Sequence, residues 1–250
     1  MSAIQGARER ARKEVTAAIK EEASRQLAAE GAARLSLRAV ARELGMVSSA
    51  LYRYFPSRDD LLTALIIDAY DAIGAAAEQA LAAVDRKATR AGRAADPLDR
   101  WVAVCVGARD WAVAHPHEYA LIYGSPVPGY SAPQDTVGPA SRVGLALVGV
   151  ARDASTAGTL AEPHGRAPVG AVHADAALLA SRLAPDLPVA SIAALVAAWA
   201  QVFGLISFEV FGQFNQVVEA RGPFFEHATA GLATQVGLAG ESERGGAVGS

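Results

Sequence analysis

The sequence predicts an all-α protein, and three observations carry that prediction. Hydrophobic residues make up 52% of the 250-residue chain and are dominated by alanine, leucine and valine, which favour helix over strand. Few segments alternate apolar and polar residues with period two, as half-buried strands would. Gly and Pro fall between runs with helical periodicity, where helices are expected to stop and start. The length suffices to bury one large domain, or one large and one small.

Each element follows from local signals. A first helix is predicted from about Arg8 to Glu30, with Val15, Ile19, Ala23 and Leu27 on one stripe and Gly31 ending it. Ser36 can cap a second helix whose inner face is Leu37, Val40, Ala41 and Leu44. Gly45 permits a tight turn into a third, predicted from Val47 to before Pro56, with Val47, Leu51 and Phe55 facing inward. Ser57 and Asp60 form a capping box for a long fourth helix, and residues 85–96 read as a polar linker. Pro97 suits a helix start, Pro116 interrupts that helix, and residues 124–133 are loop. Further helices are predicted over 134–158, 171–183, 188–219 and 223–237, with a disordered tail from Gly240.

The stretch LRAVARELGMVSSALYRYF, residues 37–55, is therefore a short helical hairpin that leaves Ser48, Ser49, Tyr52 and Arg53 outside. A braced helix showing small polar, aromatic and basic side chains suits a DNA major groove. Charge agrees with this. Residues 1–58 hold eleven Lys/Arg against six Asp/Glu, a net +5, whereas the remainder holds twelve against twenty, a net −8. A basic head on an acidic body is expected where one end meets a polyanion. The cluster between Arg8 and Lys13 reads as a solvated helix surface, or as a loose arm along the groove.

The segment LSLRAVARELGMVSSALYRYFPSRDDLL resembles the DNA-binding region of TetR-family transcriptional regulators, with Leu51, Tyr52, Phe55, Arg58 and Leu61 in register. The resemblance implies phosphate contacts from Ser36, Tyr52 and Arg58, and base contacts from Ser48, Ser49 and Arg53. Val47 departs from the Ser or Thr that often caps the recognition helix there, and Ser48 is expected to take the cap instead. Residues 97–237 resemble the family's C-terminal domain with a Trp-x-x-x-His-Gly signature, present here as Trp199, Phe203 and Gly204. That likeness implies a small-molecule effector and a homodimer.

These expectations divide the chain into a helix-turn-helix domain at 1–56, a helical ligand-binding and dimerisation domain at 57–237, and a tail at 238–250. Trp101, Cys105, Trp111, Tyr119, Tyr123 and Phe203 are the candidate pocket lining, although aromatics at helical spacing are also ordinary core. Few charges lie between Trp101 and Tyr123, so a largely apolar effector is expected. Residues 187–208 carry no charge over twenty-two positions, enough to span a bilayer. Acidic flanks at Asp186 and Glu209 and an alanine-rich composition favour instead a helix buried against a second subunit, with Trp199, Gly204 and Ser207 at the interface.

No nucleophile elbow, phosphate-binding loop or metalloprotease motif is present, so no enzyme, cofactor or metal is expected. The lone Cys105 excludes a disulfide framework, and the N-terminus lacks the apolar core of a signal peptide. The reading is a cytoplasmic, homodimeric, ligand-responsive repressor that binds a palindromic double-stranded operator. The alternative is a helical small-molecule binding or adaptor protein without DNA binding.

Overall fold

The computed structural model describes residues 3–238. It is all-α: among the described residues the one extended pairing is an isolated antiparallel bridge between Leu160 and Leu238. The helices are α1 (Ala3–Glu30), α2 (Leu37–Glu43), α3 (Ser48–Leu51), α4 (Arg58–Arg90), α5 (Pro97–Ala114), α6 (Pro116–Tyr123), α7 (Val137–Thr156), α8 (Gly170–Leu183), α9 (Val189–Val210) and α10 (Arg221–Val236).

They form two compact units. The first takes the chain up to Asp71 together with His115–Ala140; the second takes Ala72–Ala114 together with the chain from Ser141 onward. This division falls elsewhere than the expected boundary after residue 56. The first turns of α4 belong to the first unit, and so do α6 and the loop behind it. Leu121, Ile122, Val127 and Tyr130 supply the reason, because they pack against the core made by Ile19, Ala23, Val40, Leu51 and Leu62. Tyr130 also shares a 2.9 Å hydrogen bond with the Thr63 hydroxyl, and Lys20 Nζ reaches Asp68 Oδ1 at 2.8 Å, tying α1 to α4. Of the expected tail, residues 239–250 lie outside the described residues.

In the second unit α5, α9 and α10 pack on one another, and α8 packs on α9. Trp101 is fully buried and its indole Nε1 donates to the Thr229 carbonyl at 3.1 Å, satisfying the one polar atom of a large apolar side chain. Gly107 allows α5 to approach α4: a Cβ there would lie 2.7 Å from the Ala76 carbonyl oxygen. Arg109 donates through Nε and Nη2 to the two carboxylate oxygens of Glu209, at 2.7 and 2.6 Å. That fork holds the Arg109 guanidinium above its ordinary pKa, the Glu209 hydrogen bond being the largest cause. Phe225 lies beneath the same guanidinium, 5.6 Å from its ring centre.

The element order matches the sequence prediction, and the boundaries differ for identifiable reasons. α1 begins at Ala3 rather than near Arg8. Residues 85–90, expected in a linker, continue α4, with Ala88 buried and Asp85 paired to Arg100 of α5 at 2.9 Å. α9 ends at Val210 instead of continuing to 219, because Gly212 takes φ 83° and breaks the run. Residues 134–136 form a 3-10 turn before α7.

Candidate nucleic-acid interface

The interface is built from α2, α3 and the turn between them. Ser36 caps α2, its hydroxyl accepting from the Ala39 amide at 3.4 Å, and Leu37, Val40 and Ala41 turn inward. α2 closes in a Schellman arrangement. Gly45 takes φ 63°, its amide donates to the Arg42 carbonyl at 3.1 Å, and the Met46 amide donates to Ala41 at 2.8 Å. A left-handed residue is required there, which is why glycine fits. The chain then re-enters helix at Ser48 with only Val47 as cap.

α3 is a single turn, continued by turn residues to Tyr54. Leu51 is fully buried and Phe55 nearly so, and together they brace it on the core. Ser48, Ser49, Tyr52 and Arg53 are all exposed, as the sequence predicts. Two expectations need correction. Val47 does not pack inward: it is 70% exposed, because it sits at the N-cap with extended backbone (φ −69°, ψ 136°), where helical spacing no longer sets direction. Ser48 is not the cap either, being the first helical residue.

Arg58 occupies a different setting from Tyr52. Its Nη2 donates to the Ala32 carbonyl at 2.7 Å and its Nε to Leu35 at 3.2 Å, while Nη1 reaches Asp59 Oδ1 at 3.3 Å. Two of its donors therefore hold the turn between α1 and α2, and the third stays within α4. The sequence offers the Arg8–Lys13 cluster as a solvated surface or a loose arm along the groove, but not its contact with Tyr54. Arg12 of α1 lies over the ring of Tyr54, 5.3 Å from its centre, and Tyr54 itself packs against the core. Their separation along the chain gave no local signal of the pairing.

The residues expected in a ligand pocket are distributed over both units. Trp101 and Cys105 are fully buried in the second, and burial pushes the Cys105 thiol well above its usual pKa. Trp111 and Phe203 lie in the same unit, Phe203 stacked edge-on against Trp199 at 5.8 Å. Tyr119 and Tyr123 lie in the first, ring centres 5.1 Å apart, with Tyr70 edge-on to Tyr123. Burial raises the pKa of the Tyr123 hydroxyl as well. Two clefts of the second unit, about 580 Å³ beside Lys87 and Val102 and about 430 Å³ beside Gly204 and Phe208, are lined by other residues.

The residues expected at a dimer interface lie on α9. Trp199 is 38% exposed, Gly204 and Ser207 are half-buried, and a Cβ built on Gly204 would meet no atom within 4 Å. Gly204 is therefore not a close-packing glycine within its own chain.

Comparison with known proteins agrees with this architecture. Residues 19–65 match the family of bacterial regulatory proteins of the tetR type, and residues 101–232 match the tetracyclin repressor-like C-terminal domain. The HTH-type transcriptional regulators Rv1816 of Mycobacterium tuberculosis (strain ATCC 25618 / H37Rv) and Mb1846 of Mycobacterium bovis (strain ATCC BAA-935 / AF2122/97) are each 42% identical to the chain over 217 residues, spanning 84% of it and 86% of their own lengths. The crystal structure of the regulatory protein SCO4313 aligns with a TM-score of 0.66 at 34% identity, covering 90% of this chain and 98% of that one. A braced helix-turn-helix with a polar and basic outer face, carried in a sequence this similar to known regulators, places the chain in the TetR family as a DNA-binding transcriptional regulator and not an enzyme.

Proposed function

We propose that this regulator is a cytoplasmic homodimeric repressor, released from a palindromic operator by a small, largely apolar effector. The observation that carries the DNA side is the outward set Ser48, Ser49, Tyr52 and Arg53 on a turn of helix anchored by Leu51. In this reading Ser48, Ser49 and Arg53 meet base edges, while Ser36 and Tyr52 meet phosphates. Arg58 contributes with the donors left after bracing Ala32 and Leu35. Two such helices related by a dyad reach successive major grooves about 34–36 Å apart.

Support for the homodimer comes from α9 and α10. Phe208 is 51% exposed beside Phe214 and Phe224, which stack edge-on at 5.7 and 5.5 Å along an apolar cleft that Gly204 and Leu205 also line. A second copy of the same two helices would complete a four-helix bundle over this surface. Support for an apolar effector comes from the Arg109–Glu209 pair, which neutralises one of the few charges near the expected lining.

The test is a retardation assay with the protein's own upstream DNA, repeated while candidate effectors are titrated and tryptophan emission is followed. Release of DNA in step with effector binding is the expected result, and reciprocity requires DNA to weaken effector binding by the same factor. An effector that binds tightly and leaves DNA affinity unchanged would remove the switch from this reading.

A further inference from the structure

We infer that the N-terminal half of α1 is a second DNA-contacting element, with Arg12 as a fixed phosphate ligand and Arg8 one turn beyond it. The inner stripe of α1 runs through Ile19 and Val15, both against the core of the first unit. Continued toward the N-terminus at the same spacing, that stripe reads Arg12 and then Arg8. Residues 6–14 are all exposed, so no apolar burial holds this part of the helix. What holds it is the Arg12 guanidinium over Tyr54, a residue that follows directly on Tyr52 and Arg53 at the end of the DNA-facing turn.

Arg12 is also uncompensated. Lys13 pairs with Glu9 at 3.2 Å and Lys20 with Asp68, but no carboxylate among the described residues pairs with Arg12. A cation stacked on an aromatic face keeps its N–H edge free and loses little rotamer freedom when it meets a phosphate. Arg8 and Arg12 are four residues apart, about 6 Å along the helix axis, and so face one strand of backbone together. The family's DNA-binding match begins only at residue 19, so this segment lies outside it. Its contacts would carry no sequence information and would add to affinity uniformly.

The test uses the full-length protein and a fluorescein-labelled 30-base-pair duplex of scrambled sequence, because a phosphate contact needs no operator. Anisotropy is measured across a salt series for wild type, Arg8→Ala, Arg12→Ala, Tyr54→Leu and, as a charge control in the second unit, the exposed Arg86→Ala. Arg8→Ala and Arg12→Ala should each lower the slope of log K against log salt by about 1, and Arg12→Ala should weaken binding several-fold at ~0.1 M salt. Tyr54→Leu should reproduce part of the Arg12→Ala loss, and Arg86→Ala should leave the slope unchanged. Unaltered slopes in both arginine variants would overturn the inference. So would an affinity loss in Arg12→Ala at constant slope, which would make Arg12 a brace for Tyr54 alone. A wild type without salt-sensitive binding would overturn the DNA-binding assignment itself, and the two failures are thereby separated.

Discussion

Helix α3 buries Leu51 and leaves two serines in water, followed by Tyr52 and Arg53; helix α9 buries Ile192, Leu195, Val202 and Ile206 and leaves Trp199 and Phe208 there. Both helices use one face to fold. The other face is not constrained by its own unit, so its chemistry reports what is expected to cover it. For α3 that face is polar and basic, suited to groove edges and phosphates. For α9 it is aromatic and aliphatic, in a helix whose most apolar window is only 39% buried. Contiguous exposed apolar surface is characteristic of interaction sites. The buried faces differ as well: α3 has no buried polar side chain, whereas α9 buries its one charged residue, Glu209, against Arg109.

The largest expected effect tests that buried charge. Arg109→Ala strips Glu209 of its bidentate partner in a site where the carboxylate is almost inaccessible. Removing one member of a buried pair typically destabilises by about 3–5 kcal/mol, because the other charge stays desolvated. Urea unfolding at fixed protein concentration measures it. Replacing both residues with leucine should recover much of the loss. If Arg109→Ala unfolds with wild-type stability, Glu209 is solvated in solution and the contrast between the two buried faces weakens.

Next is the exposed side of α9. Because a Cβ on Gly204 meets nothing within its own chain, Gly204→Arg should leave the monomer's packing intact and act only through a partner. At a dimer seam it would cost about 2 kcal/mol or more through overpacking and buried charge. Sedimentation at micromolar concentration should then show monomer, and DNA affinity should fall with it although the change is remote from α3. A folded dimer of wild-type strength would move the interface off this part of α9.

On α3 the expected effects are on recognition and not on stability. Tyr52→Ala should weaken binding to every sequence, whereas Arg53→Ala should relax discrimination at one base pair by about 1–3 kcal/mol. Both should melt like wild type, since neither side chain is buried. Competition between the specific site and scrambled duplexes separates the two. Tyr52→Ala binding as tightly as wild type would remove Tyr52 from the phosphate contacts.

These residues also show what a sequence can and cannot reveal. The helix-turn-helix was legible because its signals are local: Ser36 three residues before the amide it caps, Gly45 at the left-handed position between α2 and α3, and a Ser57–Asp60 capping box whose hydroxyl accepts from the Asp60 amide at 3.1 Å. The Arg109–Glu209 pair joins residues one hundred positions apart, and no pattern along the chain encodes it. The same holds for Arg12 with Tyr54, and for Tyr130 with Thr63. Aromatic spacing leaves pocket wall and plain core open, and burial bears on that choice. Aromatic spacing made Trp101 a candidate for a pocket wall, yet its ring is wholly enclosed and its indole donor satisfied by Thr229.

Val47 provides the smallest expected effect. The helical spacing Val47, Leu51, Phe55 reads as an inner face, but α3 starts only at Ser48, so Val47 is a capping residue with an exposed side chain and no side-chain hydrogen bond to offer. Its extended backbone is the conformation from which a serine hydroxyl reaches an amide two or three residues on. Val47→Ser should therefore stabilise the protein by about 0.5–1 kcal/mol, seen as a rise in Tm of about 2 °C for a chain of this size. Val47→Ala, which also removes the exposed apolar surface but adds no acceptor, should give no such rise, so the difference between the two isolates the cap. A better-capped α3 should also bind DNA slightly more tightly, because the turn is short enough to fray without help. If Val47→Ser melts below Val47→Ala, the side chain has a packing role that its exposure does not reveal, and the account of α3 as a helix braced only from Leu51 onward fails.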